Sequence, residues 1–270
     1  MFAKFRTSLL ATVALSVATP VIADEINVYS YRQPELIDHL TAKFTADTGI
    51  KVNTAFLKKG MIEKLDAEGD RSPADLIFTV DMSRLYAAQQ AGHTQPVESE
   101  ALMANIPADV RSPDNHWFGL TTRARIIYAS KERAPEGVAT YEELADPKWK
   151  GKICTRSGTH IYTIGLISAA IYHMGEEGAK TWLQGVKDNL ARKPQGNDRA
   201  QVKAVFAGEC DIAIGMTYYM GKMLNNKKNP EQIEWANSIN VVFPKFTGEG
   251  GGTHVNISGM ALAKHAPNKA

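Results

Sequence analysis

Residues 208–223 read GECDIAIGMTYYMGKM. The apolar run from 210 to 216, bounded by Gly208 and Thr217, has the length of a buried strand, and the residues after it start a helix. Two tyrosines, Tyr218 and Tyr219, stand at that junction. In open α/β sheets ligands bind outside the carboxyl ends of the strands, so the junction puts both phenols where a ligand would lie.

The same strand-then-helix grammar runs outward in both directions. Upstream, residues 152–155 predict a strand, followed by helices over 159–174, 178–189 and 198–207. Nearer the start, residues 26–29, 51–56 and 74–80 read as strands. Between them Leu36, Ile37, Leu40 and Phe44 share one helical face that stops at Gly49, residues 61–67 predict a second helix, and residues 82–90 a third, closed by Gly92. Residues 119–129, GLTTRARIIYA, are extended and lead through a long loop with Pro135, Pro147 and Trp149 into the second group. Residues 239–243 are extended again, and 255–263 predict a strand that rejoins the first group. The GEGGG run at 248–252 reads as a flexible loop, and no internal repeat appears. Such alternation predicts an α/β protein of two lobes, with open mostly parallel sheets joined by a hinge of two crossings. Residues 24–122 form the first part of lobe 1, 123–238 form lobe 2, and 239–270 make the return crossing and the second part of lobe 1.

Residues 1–23 begin with Lys4 and Arg6, continue in an apolar run over 9–22 and end at Ala23 before two acids. This is the pattern of a cleavable secretory signal peptide, and it predicts a periplasmic protein. The run is too short for a confident transmembrane anchor, and no lipid-carrying cysteine stands near the cleavage point. Without residues 1–23 the 31 basic residues fall to 29, equal to the 29 acidic ones, which argues against general nucleic-acid binding. The two cysteines, Cys154 and Cys210, predict one disulfide in an oxidising compartment, with a pair of buried thiols as the alternative.

Polar residues just after strands are the candidates for binding, and here they are mainly tyrosines. Tyr31 follows the first strand, Tyr162 lies in the first turn of the helix after the Cys154 strand, and Tyr218 and Tyr219 follow the Cys210 strand, so four of the nine tyrosines can face one cleft. A phenol titrates near pH 10, but a hard trivalent cation displaces that proton and holds the phenolate oxygen at neutral pH. Oxygen ligands of this kind suit Fe(III) far better than zinc or copper. The plain alternative is that each ring packs while its hydroxyl meets water, and this is the reading for Tyr29, Tyr86, Tyr128, Tyr141 and Tyr172. Arg32 follows the first strand, and Arg123 and Arg125 fall on one face of the crossing segment if it is a strand. Arginine suits bidentate contact with a carbonate-like anion, and the alternative is that these arginines bridge surface acids. Of the seven histidines only His160, two before Tyr162, is placed to enter the cleft. No nucleophile motif, P-loop or HExxH spacing appears, so the sequence offers no case for an enzyme.

The stretches NVYSYRQPELI (27–37), ADLIFTVDMSRLYAAQQAG (74–92), GLTTRARIIYA (119–129), GKICTRSGTHIY (151–162) and GECDIAIGMTYYMGKM (208–223) resemble the periplasmic ferric-iron-binding proteins of ABC transporters. The resemblance implies a type II periplasmic-binding-protein fold and a monomer that delivers Fe(III) to an inner-membrane permease. It implies Tyr162, Tyr218 and Tyr219 as metal ligands, and Arg123, ahead of Arg125, as neighbour to the ligand or a synergistic anion. Many members carry a His-Tyr pair shortly after the first strand, where this chain has Gln33 and Pro34. Tyr31 is then the first-lobe candidate, with water or carbonate completing the iron. Members also continue for several tens of residues past the position of Ala270, so the expected first lobe is truncated. The first alternative is the same fold binding a small oxyanion or organic cation; the second, an exported enzyme on a similar scaffold, lacks a recognisable nucleophile and base.

Overall fold

The computed structural model describes residues 25–248 and 250–269; the expected signal peptide lies outside them. Strand β1 (Glu25–Ser30) pairs in parallel with β2 (Lys51–Phe56) and with β3 (Leu76–Thr79), the connections being α1 (Asp38–Thr48) and α2 (Met61–Glu68). After β3 come α3 (Met82–Gln90), the short β4 (Thr94–Gln95) and α4 (Glu100–Asn105). Helices α2 and α3 cover one face of this sheet, burying Met61, Leu65, Leu85 and Ala88 against Tyr29 and Ile77. The other face buries only Val28, Ile37 and Phe78. The stripe expected on α1 is not sealed: Ile37 is buried, whereas Leu40 and Phe44 are 51% and 38% exposed. A 3-10 turn at Pro34–Leu36 takes the first residue of that stripe, so α1 starts only at Asp38.

Strand β5 (Phe118–Ser130) belongs to both lobes. Its first half pairs with β9 (Val255–Ala263), and its second half, from Arg125 on, pairs with β7 (Ile212–Met216) and β8 (Ile239–Val242). At the hand-over Ala124 exchanges hydrogen bonds with Thr217, and Arg125 N–H donates to the carbonyl of His254. The return crossing thus clasps the first. The sheets are mixed where mostly parallel pairing was expected. Among the described strands, parallel pairing is confined to β2-β1-β3 and to β6 (Ile153–Cys154) with β7, while the crossing strands pair antiparallel to their neighbours.

In lobe 2 the period of two along β5 feeds two cores. Ile127 and Ala129 face the core under α5 (Ile161–Asp188), whereas Ile126 and Tyr128 face α6 (Asp198–Phe206), α7 (Tyr218–Leu224) and α8 (Glu231–Asn237). The two helices predicted over 159–189 are one assigned element broken at Gly175, whose φ of 72° interrupts it. Helices α4 and α8, six and seven residues long, carry too little periodicity to have been read from the sequence. Cys154 at the end of β6 and Cys210 just before β7 form a disulfide with Cα atoms 5.9 Å apart. That resolves the two sequence alternatives in favour of the bridge.

Candidate metal centre

Tyr162 is the second residue of α5, and Tyr218 and Tyr219 are the first two of α7. Both helix starts follow the carboxyl ends of neighbouring parallel strands, β6 and β7, which is why residues far apart in sequence meet. The hydroxyls of Tyr162 and Tyr218 lie 3.3 Å apart, and the Tyr218 and Tyr219 rings meet at a 30° tilt with centroids 4.3 Å apart. The structure therefore brings three of the four candidate tyrosines together. Burial first, then the neighbouring Tyr162 and Tyr219, pushes the Tyr218 phenol well above its usual range, so without a cation it stays protonated.

Cations ring this cluster. The guanidinium carbons of Arg123 and Arg156 each lie 5.2 Å from the centre of the Tyr162 ring. Arg199 stands 5.8 Å from the Tyr219 ring and Lys222 Nζ 5.9 Å from that of Tyr218. Arg32 is held by a tight turn in which its N–H donates to Ser30 Oγ, and its Nη1 donates to Ser258 Oγ at 3.2 Å. Arg123 Nη1 reaches the same hydroxyl, also at 3.2 Å, and the carbonyl of Ile257 at 2.7 Å. One buried serine on β9 thus sets two guanidiniums side by side. Burial first lowers the affinity of Arg32 for its proton, and Arg123 adds to this, while Tyr218 and Tyr162 oppose it.

Two buried carboxylates balance part of this charge. Asp81, the N-cap of α3, accepts from Arg123 Nη2 at 3.0 Å, and the two side chains are 3% and 4% exposed. Asp198, the first residue of α6, accepts from Arg156 at 2.8 Å and lies 3.5 Å from Arg125. Arg123 and Arg125 pair with different carboxylates, Asp81 and Asp198, and the backbone pairing of the strand passes from β9 to β7 between them; both side chains are buried. Burial lowers the proton affinity of Arg125, and Asp198 opposes that shift. The Nε atoms of Arg123, Arg125 and Arg156 are buried without a hydrogen-bond partner.

Tyr31 stands apart. Its hydroxyl accepts the backbone N–H of Met61 at 2.7 Å, capping α2 where the N-cap residue, Gly60, has no side chain to do so. Its ring lies under Arg84, 4.5 Å away. His160 is likewise a cap: its Nδ1 accepts from the N–H of Tyr162, and its ring meets that of Tyr162 edge-on at 4.6 Å. Burial first, then Arg156, pushes the imidazole down to about 4, so it is neutral at pH 7. Asp81, Asp198, Arg156 and Ser258 were not singled out from the sequence. An acid between a strand and a helix, as at Asp81, was the one signal available for any of them.

Residues 71–269 match the family described as bacterial extracellular solute-binding protein. The chain is 47% identical over 253 residues to iron uptake protein A1 of Synechocystis, a match that covers 93% of this chain and 69% of that protein. Among solved structures it is similar to the ferric iron-binding protein A of Mannheimia haemolytica in an open conformation, with a TM-score of 0.84, 50% identity, and 92% and 77% of the two chains covered. The Trichodesmium protein solved with iron and citrate ligands gives a TM-score of 0.84 at 45% identity, with 91% and 77% covered.

Proposed function

The chain belongs to the bacterial extracellular solute-binding protein family, and from that premise we propose that it captures Fe(III) in the periplasm and delivers it to an ABC permease. The observation that carries the reading is the three-tyrosine cluster, with the Tyr162 and Tyr218 hydroxyls 3.3 Å apart and the Tyr218 and Tyr219 ring centroids 4.3 Å apart. Relatives named for iron uptake and ferric-iron binding support it. Tyr162, Tyr218 and Tyr219 act as phenolate ligands, and three phenolates neutralise the three charges of the cargo. Each must shed its proton as iron enters, so binding releases protons and weakens as the medium becomes acidic.

Arg32 and Arg123 hold a synergistic anion such as carbonate. Asp81 balances Arg123 but not Arg32, so the two guanidiniums on one serine hydroxyl leave a positive charge that attracts an anion, and arginine offers paired donors for a planar oxyanion. The division of labour follows from the elements. The tyrosines all come from lobe 2, whereas Arg32 comes from lobe 1, so the anion ties the metal to the opposite lobe. Closure is favoured because cargo and anion together touch both lobes only when these approach. Tyr31 is occupied in capping α2 and is not among the ligands.

The test is a visible absorption titration of metal-stripped protein with a soluble Fe(III) chelate, on wild type and a Tyr218→Phe, Tyr219→Phe double mutant. A saturable phenolate-to-iron band at one iron per chain, lost in the mutant, is the expected result. A folded wild type without the band rejects ferric iron in favour of an oxyanion or organic cation.

A further inference from the structure

Asp198 is fully buried, and its carboxylate has three partners. Oδ2 accepts the backbone N–H of Met216 at 2.9 Å and lies 3.5 Å from Arg125 Nη1, while Oδ1 accepts from Arg156 Nη1 at 2.8 Å. Met216 is the last residue of β7, two before Tyr218. Arg156 in turn lies against the Tyr162 ring. One carboxylate therefore touches both segments that carry the tyrosines: directly the strand end that launches Tyr218 and Tyr219, and through Arg156 the ring of Tyr162.

Stability alone is a poor account of this arrangement. A buried ion pair seldom gains over well-packed apolar side chains, and here two guanidiniums share one carboxylate, leaving a surplus positive charge in the interior. Arg125 Nε and Nη2 and Arg156 Nε also lack partners. We propose that Asp198 is a positioning residue for the tyrosine cluster, fixing the angle between the Tyr162 and the Tyr218–Tyr219 segments and holding Arg156 against the Tyr162 ring. The proposal rests on the ferric reading above. Asp198 itself does not touch the metal.

The test compares the phenolate-to-iron band and Fe(III) affinity of wild type, Asp198→Asn and Asp211→Asn. Asp211, before the start of β7, also pairs with an arginine of lobe 2, at 2.8 Å from Arg133, with Lys152 3.7 Å away; its side chain lies at the opposite end of β7 from Met216, so its variant controls for loss of a lobe-2 carboxylate. Asparagine can still accept from Met216 but cannot balance either guanidinium. Expected for Asp198→Asn are a displaced band maximum and an affinity lower by about 10- to 100-fold, as for other residues that orient a metal ligand. Asp211→Asn should keep the wild-type band and affinity. If Asp198→Asn does not fold, Arg156→Met decides: it cuts the link to Tyr162 while Asp198 keeps Met216 and Arg125, and it too should displace the band. An unmoved band with wild-type affinity in folded Asp198→Asn, or in Arg156→Met, overturns the proposal while the ferric reading stands. Absence of a band in wild type removes the ferric reading and this one with it.

Discussion

Tyr31 and Tyr219 look alike in the sequence, each a tyrosine after a strand, and the structure places them differently: Tyr31 caps α2, whereas Tyr219 stands beside Tyr218. Tyr219→Phe should weaken Fe(III) binding, whereas Tyr31→Phe should leave the iron band in place and cost about 1 kcal/mol of stability through the lost cap on α2. Titration and thermal unfolding of the two variants separate these outcomes, and equal iron affinities would sink the ligand assignment. At Arg123 the penalty is larger. Arg123→Leu strands Asp81 in the interior as an unpaired charge, so a loss of about 3–5 kcal/mol is expected in denaturant unfolding. The three clustered tyrosines were legible because each follows a strand. The supporting shell was not, because its members are ordinary residues whose importance comes from burial beside one another. Ser258 in mid-strand and Arg156 in a loop carry no local pattern that distinguishes them from any other serine or arginine.

Among the elements, β6 and β7 bear most of the responsibility for the site, and the disulfide at their junction fastens them. The bridge spans 56 residues of sequence, and a loop of that size corresponds to about 4 kcal/mol of chain entropy removed from the unfolded state. A Cys154→Ser, Cys210→Ser double mutant should therefore unfold at markedly lower denaturant, with iron affinity reduced far less than stability. Gly215 on β7 has no room for a side chain. A Cβ there would fall 1.9 Å from the ring of Tyr128, whose hydroxyl donates to the carbonyl of Met216. Gly215→Ala should cost at least about 1–3 kcal/mol and displace the strand end that carries the tyrosines, visible as a reduced or shifted iron band. Strand and helix alternation was readable because each element here is bounded by a turn residue, such as Gly49, Gly92 or Gly208. The pairing was not. Whether a strand joins parallel or antiparallel depends on where the chain crosses between lobes, and β5 looks like one strand in the sequence although it serves two sheets.

At the scale of the whole molecule, acidity should loosen the hinge. His254 lies on the return crossing, where burial first, then Arg125, pushes its imidazole down to about 4 from the usual 6.5. A depressed value means the folded protein resists protonation more than the unfolded chain does. The stability held by a neutral His254 is thus fully present above pH 6.5 and is lost as pH falls through about 4. Unfolding free energies measured across that window should fall with acidity, and His254→Asn should flatten the slope, leaving a share from His160. The order of strands carries a different consequence. β9 lies between β3 and β5 in the first sheet but is reached only after all of lobe 2 has been made. A chain emerging from its N-terminus can complete the second sheet early, whereas the first must wait with its middle place vacant. Lobe 1 therefore cannot lock before lobe 2 has been made, so a refolding chain should protect the amides of β7 and β8 before those of β3 and β9.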